Sequence, residues 1–145
     1  MNKDFKVLQL ELAWLVRYIS SLTPNQTELL IDRSGFLILQ YIEAQDSAGI
    51  KELANYFKLD ISTMSRQVRK LEEKDCLKRN PKPEDKRAFS LSLTTLGKDI
   101  LDTYRDIKVK RIEELFGHWK DQDLKDFSRL LEKANEDMRQ GKPRE

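Results

Sequence analysis

Hydroxyl and arginine side chains grouped in the middle of the sequence are its first candidates for chemistry. They are Ser62, Thr63, Ser65, Arg66 and Arg69. The arginine guanidinium is a planar fork of donors that fits the O6 and N7 edge of guanine or a phosphate. Hydroxyls and free backbone donors at the start of a helix commonly hold phosphates. This grouping favours nucleic-acid contact, although a solvated helix face would explain the arginines and helix capping alone would explain Ser62.

A second group of cations lies in the segment PKPEDKR, residues 81–87. Its members are Lys82, Lys86 and Arg87. A tip this charged does not suit a core, but it suits the minor groove of DNA, where the potential is most negative. Phosphate would repel Asp85, so we expect this carboxylate to orient Arg87 or Arg79 through a salt bridge.

The positive charge of the chain is concentrated in one segment. The net charge of the 145 residues is only +2. Residues 1–57 carry 5 basic and 7 acidic side chains, residues 58–87 carry 10 and 6, and residues 88–145 carry 12 and 12. A local excess of this kind is typical of a nucleic-acid contact, and a mixed-charge solvated surface is the alternative.

Few residues suit catalysis or metal binding. A single cysteine, Cys76, and a single histidine, His118, exclude an internal disulfide and a cysteine-based zinc cluster. The sequence also lacks an evident nucleophile and base, a glycine-rich phosphate loop and a partnered carboxylate dyad, so an enzyme is disfavoured and no metal or cofactor is expected. We expect Cys76 to pack as a small hydrophobe, with redox sensing as the alternative.

The distribution of apolar residues argues against a membrane protein. No run of about 18 apolar residues occurs, and the N-terminus mixes charged with apolar side chains, so neither a spanning helix nor a signal peptide is predicted. We therefore expect a cytoplasmic protein with no membrane partner.

Two short helices must position the hydroxyl and arginine cluster. Residues 50–57 form one amphipathic pattern, and residues 61–74 form a second, which Asp60 or Ser62 can cap. The inward face of the second helix carries Met64, Val68 and Leu71. Two short helices joined by a three- or four-residue turn have the spacing of a helix-turn-helix.

A hairpin follows these helices. Residues 76–80 and 88–93 are predicted strands, and the prolines of residues 81–87 mark the loop between them because proline cannot donate within a ladder. Alternation makes Phe89, Leu91 and Leu93 the inward anchors of the hairpin, and Thr94 or Thr95 can cap the next helix. A helix-turn-helix followed by a hairpin is a winged-helix module.

The helices at the two ends carry more apolar surface than one such module can cover. Residues 5–22 are apolar on more than one side, and two further apolar helices follow from residue 95. We therefore predict a mainly α fold with a small β-hairpin wing, whose terminal helices form a homodimer.

The wing residues carry a resemblance to a known family. DKR at 85–87 followed by LTTLG at 93–97 resembles the D-x-R and L-T-x-x-G signature of the MarR (multiple antibiotic resistance regulator) family. Residues 64–79 are similar to its recognition helix and first wing strand. The chain departs from the family at Asp75 and Cys76, where glycine and an apolar residue are common, but aspartate tolerates the left-handed turn.

The resemblance implies a sequence-specific regulator that binds double-stranded DNA, a ligand-responsive repressor that acts as a homodimer on a pseudo-palindromic operator. It places the helix of residues 61–74 in the major groove and the wing of residues 81–87 in the minor groove. It also divides the chain into an N-terminal dimerisation helix and loop, residues 1–31, a DNA-binding module, 32–94, and C-terminal dimerisation helices, 95–145.

The resemblance further implies an effector site between the dimer helices and the DNA-binding module. The family often binds small aromatic or amphipathic molecules there, which makes Trp14, Arg17 and Phe36 candidates, with plain core packing as the alternative. A winged-helix module that binds only protein is the leading rival function. That rival predicts an apolar or acidic outward face, where this sequence has Arg66 and Arg69.

Overall fold

The fold follows from a computed structural model, which describes residues 2–22 and 30–141, without the side chains of Asn2, Ser21 and Lys86. Its helices are α1 (Asn2–Ile19), a 3-10 turn (Ser20–Leu22), α2 (Arg33–Gln45), α3 (Ile50–Phe57), α4 (Ile61–Glu73), α5 (Thr95–Phe116) and α6 (Asp121–Gln140). Its strands are β1 (Leu77–Lys82) and β2 (Asp85–Leu93). The predicted mainly α winged helix is confirmed.

The chain forms two compact units, Met1–Val109 and Lys110–Glu145. The core of the first unit lies where α2, α3, α4, the hairpin and the first turns of α5 meet. Its most enclosed side chains include Ile38, Leu39, Leu53, Met64 and Leu101. Burying an aliphatic side chain of this size contributes about 1.5 to 3 kcal/mol, so these contacts hold α4 and the hairpin in place.

Short polar and left-handed residues end the helices of this unit. Asp32 caps α2 by accepting a hydrogen bond from the Gly35 amide at 2.8 Å. Lys58 (φ 55°) ends α3 and Asp75 (φ 58°) follows α4 in left-handed conformations. The departure from glycine at Asp75 therefore preserves the turn, because aspartate tolerates this region better than most residues.

The hairpin is longer than the sequence predicted. β1 pairs antiparallel with β2 from Leu77 opposite Leu93 to Pro81 opposite Phe89, with an irregularity between Pro81 and Lys82. The predicted loop of residues 81–87 is thus wrong in extent, because the strands run to Lys82 and from Asp85. An edge strand tolerates Pro81, since a missing N–H costs nothing where no neighbouring strand needs it.

The edge of β2 that faces away from β1 forms a β-bridge with Ala48. The Ala48 amide donates to the Leu91 carbonyl at 3.0 Å, and the Leu91 amide donates to the Ala48 carbonyl at 2.8 Å. Leu91 is fully buried and Leu93 nearly so, while Phe89 packs against the core at its margin. The three predicted inward anchors of the wing are confirmed.

A joint around Thr94 connects the hairpin to α5. The Thr94 amide donates to the Cys76 carbonyl at 3.1 Å, its hydroxyl donates to the Asp75 carbonyl, and the Gly97 amide donates to that same hydroxyl at 2.9 Å. A Cβ atom on Gly97 would lie 2.2 Å from the Cys76 carbonyl oxygen. Only glycine fits here, which explains physically why threonine and glycine occur three residues apart.

Side-chain contacts fasten α2 to its neighbours. The Arg105 guanidinium on α5 donates to the Gln40 and Glu43 side chains at 3.1 and 3.0 Å. The Tyr41 hydroxyl donates to the Glu52 carboxylate on α3 at 2.7 Å. These contacts hold α2 against both α3 and α5.

The second unit contains the end of α5 and all of α6. Its rings form a cluster in which Trp119 lies 5.0 Å from Phe116 and 5.6 Å from Phe127 between ring centroids. α6 ends at Gly141, whose φ of 54° suits a helix terminus. Along α6, the apolar side chains Phe127, Leu130, Leu131 and Met138 are exposed.

Candidate nucleic-acid interface

The second helix of the helix-turn-helix, α4, has one buried and one charged face. Met64 and Val68 are fully enclosed and Leu71 is 3% exposed. The predicted contact residues lie on the rest of the helix, where Ser62, Arg66 and Arg69 are exposed and Thr63 and Ser65 are half-buried. Packing of the inner face fixes the rotation of the helix, so the two arginines are held in solvent.

Hydroxyls at the start of α4 are engaged within the protein. Asp60 occupies the cap position, and its carboxylate accepts a hydrogen bond from the Ser62 hydroxyl at 2.7 Å. Hydrogen bonds from the Thr63 and Ser62 hydroxyls lower the pKa of Asp60 below its ordinary value, since they stabilise the carboxylate. The Arg66 guanidinium also donates to the Thr63 hydroxyl at 3.3 Å. Asp60, and not Ser62, is therefore the cap residue of α4, and the contact of Ser62 with DNA stays a prediction.

Arg79 is oriented by a different residue from the predicted one. Its guanidinium donates two hydrogen bonds to the Glu72 carboxylate, at 2.8 and 3.0 Å, and lies 4.1 Å from the centre of the Phe89 ring. The hydrogen bonds to Glu72 raise the pKa of Arg79. The expected salt bridge of Asp85 with Arg79 is therefore wrong, because Glu72 on α4 provides a two-pronged acceptor next to β1.

The tip of the wing is ordered by a local turn. The Asp85 carboxylate accepts a hydrogen bond from the backbone amide of Arg87 at 2.9 Å, so it orients Arg87 through the backbone and not through the expected side-chain ion pair. Lys82 and Arg87 are exposed at the tip, whereas the side chain of Lys86 lies outside what the structure describes. The arrangement presents cations to solvent on a backbone fixed at both strands.

The candidate effector residues lie in different surroundings. Phe36 is 9% exposed and stacks on Tyr104 with 4.2 Å between ring centroids. Trp14 is 46% exposed and stacks on Tyr18 along α1, where Arg17 is also exposed. Of the three, Phe36 alone belongs to the core cluster of the described residues.

Two residues beside Phe36 were missed by sequence reasoning. The Lys108 ammonium lies 5.1 Å from the centre of the Phe36 ring and 5.8 Å from that of Tyr104. Burial and the nearby Arg33 lower the pKa of Lys108, while burial raises the pKa of Tyr104. Their spacing of four on α5 puts Tyr104 and Lys108 on one face, but only the packing of α5 against α2 reveals that this face meets Phe36.

Cys76 is a core residue. It is fully buried after the left-handed turn that follows α4, and burial raises the pKa of its thiol. A raised pKa keeps the sulfur protonated and weakly nucleophilic, so the predicted packing role is confirmed. His118 is exposed beside Trp119 in the second unit.

Within residues 2–22 and 30–141, no cluster of three or more histidine, cysteine or acidic side chains is placed to bind a metal ion. No helix in these ranges has the length and apolar character needed to span a bilayer.

Comparison with known proteins identifies the module. The family model described as MarR family matches residues 31–89. The HTH-type transcriptional regulator YxaD of Bacillus subtilis is 37% identical over 105 residues, which cover 72% of this chain and 73% of the relative. The HTH-type transcriptional regulator SarZ of Staphylococcus aureus is 35% identical over 96 residues, which cover 66% of this chain and 65% of the relative.

Solved structures show the same fold. A MarR protein from Peptoclostridium difficile superposes with a TM-score of 0.74 at 22% identity, over 92% of this chain and 88% of that one. A MarR family protein from Bacillus stearothermophilus superposes with a TM-score of 0.72 at 20% identity, over 94% of both chains. The relatives are transcriptional regulators and not enzymes, in agreement with the residues of the interface. This chain belongs to the MarR family of winged-helix transcriptional regulators.

Proposed function

We propose that the protein is a homodimeric repressor that binds a pseudo-palindromic operator, with α4 in the major groove and the wing in the minor groove. The observation that carries the proposal is the division of α4 into an enclosed apolar face and an exposed face with Arg66 and Arg69. The charged tip of the hairpin, with Lys82 and Arg87 exposed, supplies a second contact. A module that binds only protein would need an apolar or acidic face in place of these arginines.

Dimerisation is supported by the apolar surface of α1. Val16 is 70% exposed, Phe5 62% and Tyr18 60%, and six more apolar side chains of the helix are at least two-fifths exposed. An unpartnered helix of this kind is unfavourable in water, and a stable dimer buries about 800 Å² on each partner. A second copy of the chain is the partner that a two-fold operator requires.

Repression needs no contact beyond the operator. A dimer with half-sites about one helical turn apart occupies that stretch of DNA. An operator that overlaps a promoter would thereby be closed to the polymerase. A protein with this role acts where bacterial DNA lies, in the cytoplasm.

Ligand control is supported by the surroundings of Phe36. Among the residues that the structure describes, the buried Tyr104 hydroxyl has no hydrogen-bond partner. The Lys108 ammonium lies over the ring of Phe36. A buried hydroxyl without a partner costs about 1 to 3 kcal/mol, which a ligand acceptor would recover. A small aromatic molecule with an acidic group would offer a ring to Phe36, an acceptor to the Tyr104 hydroxyl and a negative charge to Lys108, and we propose it as the class of effector.

Selection from a randomised duplex library tests the DNA-binding role. The purified protein should enrich a two-fold symmetric sequence with half-sites about 10 base pairs apart. A variant in which Arg66 and Arg69 are both alanine is the matched control, because these exposed side chains contribute little to folding. Recovery of no sequence by the folded native protein, or of the same sequence by the double variant, would overturn the proposal.

A further inference from the structure

An exposed apolar side chain begins the helix that carries the interface arginines. Ile61 is the first residue of α4 and is 51% exposed. Ile61, Ser65 and Arg69 follow one another at intervals of four, which places them along one stripe of the helix. A surface that receives Arg69 therefore also receives Ile61.

The polar groups of this first turn are already engaged. The Ser62 hydroxyl donates to Asp60, and the Thr63 hydroxyl accepts from Arg66. The chemistry that the beginning of α4 presents to a partner is thus largely that of the Ile61 side chain. In a helix-turn-helix, the N-terminal residues of the second helix are the ones that reach the base edges.

We infer that Ile61 contacts the 5-methyl group of a thymine in the major groove and thereby selects thymine at one position of each half-site. The inference rests on the proposed binding of α4 to DNA. Thymine carries the apolar group of the major-groove edge, so an aliphatic side chain there distinguishes it from the other bases. Arg69 on the same stripe and the exposed Arg66 on the same helix favour a polyanion over an apolar protein surface as the partner.

The size of the effect follows from the burial of one methyl group. About 0.8 kcal/mol for such a group corresponds to roughly a fourfold change in affinity for one half-site. Two symmetric half-sites give roughly a fifteenfold change.

Replacement of thymine by deoxyuridine tests the contact, since uracil lacks the methyl group and keeps the same pairing with adenine. Each symmetric pair of thymines in the selected operator is replaced in turn, and affinity is measured for the native protein and for Ile61→Ala. The native protein should lose roughly fifteenfold at one pair. Ile61→Ala should bind the thymine operator correspondingly more weakly and show no further loss with uracil at that pair.

Leu37→Ala is the matched control, because Leu37 is 45% exposed on α2 and is not on the stripe. This variant should show the same uracil sensitivity as the native protein. Three outcomes would overturn the inference while leaving DNA binding established. Ile61→Ala loses as much affinity with uracil as the native protein does, the native protein loses no affinity at any thymine pair, or the selected operator has no symmetric thymine pair. Failure of the native protein to bind any duplex would instead overturn the proposed function and the inference with it.

Discussion

At the scale of single residues, Arg79 connects α4 to the wing, the two elements that we propose to contact DNA. It extends from β1 to Glu72 on α4 and covers the ring of Phe89 on β2. One side chain of β1 therefore contacts both α4 and the second strand of the wing. Its two hydrogen bonds to a carboxylate leave it poorly placed to contact DNA. We interpret it as a positioning residue that sets the distance between the wing and the helix.

Replacing Arg79 tests this role. Arg79→Met keeps the aliphatic stem and removes the ion pair, so the free energy of unfolding should fall by about 1 kcal/mol, the sum expected for an exposed bidentate pair and a cation–ring contact. Operator affinity should fall as well, because the wing loses its fixed orientation. Lys78→Met, an exposed cation on the same strand, is the control for denaturation and binding. Equal effects of the two variants would show that the contact with Glu72 is unimportant.

Tyr41 gives the protein a predicted response to alkaline pH. Its hydrogen bond to Glu52, together with burial, raises its pKa to about 12 from the ordinary value of 10.0. The unfolded chain loses this proton first as the pH rises, so the stabilisation is complete below pH 10 and is lost as the pH approaches 12. Denaturation midpoints measured across this range should fall less steeply for Tyr41→Phe than for the native protein. Parallel curves for the two would contradict the assignment.

At the scale of elements, the Thr94 joint fastens the turn between α4 and β1 to the start of α5. Its amide and hydroxyl donate to the Cys76 and Asp75 carbonyls between α4 and β1, and its hydroxyl accepts from the Gly97 amide in the first turn of α5. A displacement of α5 by an effector near Tyr104 would therefore be transmitted to α4 without passing through a flexible loop.

A single methyl group should disrupt the joint. Gly97→Ala would put Cβ 2.2 Å from the Cys76 carbonyl oxygen, so the backbone must shift. We expect a loss of about 1 to 3 kcal/mol in the free energy of unfolding. At Gly49 the nearest atom to an added Cβ is 4.0 Å away. Gly49→Ala should therefore cost less than about 1 kcal/mol, the loss of a good N-cap residue. Chemical denaturation measures the free energy of unfolding of both variants. Similar losses for the two would contradict the close approach at Gly97.

The wing and the recognition helix should differ in what they contribute to binding. Arg87→Ala should weaken binding across many sequences, because the minor groove distinguishes bases poorly. If Arg87 neutralises one phosphate in each half-site, the slope of log K against log salt should shrink by about 2 in this variant. Arg66→Ala, if it reads a guanine, should cost about 1 to 3 kcal/mol at one symmetric pair of positions. Unchanged binding of Arg87→Ala at two salt concentrations would show that the wing tip does not touch DNA.

At the scale of the whole molecule, the proposed function requires a second copy of the chain. Nine apolar side chains of α1 are exposed, and α6 in the other unit carries further exposed apolar side chains. A monomer rarely exposes apolar surface of this kind to water. Two-fold symmetry would then match two copies of α4 to two half-sites.

A charge placed on α1 tests the assembly. Val16→Glu would bury an uncompensated carboxylate in the proposed interface, so the protein should sediment as a monomer and lose operator binding. Tyr56→Glu changes a residue of α3 that is 42% exposed and serves as the control, expected to remain a dimer. A native protein that sediments as a monomer, or a dimeric Val16→Glu, would contradict this interface.

The sequence by itself determined the features that depend on neighbouring residues. The period of apolar residues located the helices, Thr94 marked a helix start, and the alternation of Phe89 with Leu91 identified the buried face of the wing. These features were predictable because caps, turns and amphipathic faces arise from contacts within a few residues. The spacing of the wing signature was also sufficient to recognise the family.

Tertiary structure alone decided which side chains meet across elements. The sequence predicted Asp85 as the partner of Arg87 or Arg79, but the packing of β1 beside α4 brings Glu72 to Arg79 in a two-pronged geometry. The stacking of Phe36 on Tyr104, 68 positions apart, depends on how α5 lies against α2. Such pairs cannot be read from periodicity, because periodicity gives the face of each helix and not the neighbour against which that face packs.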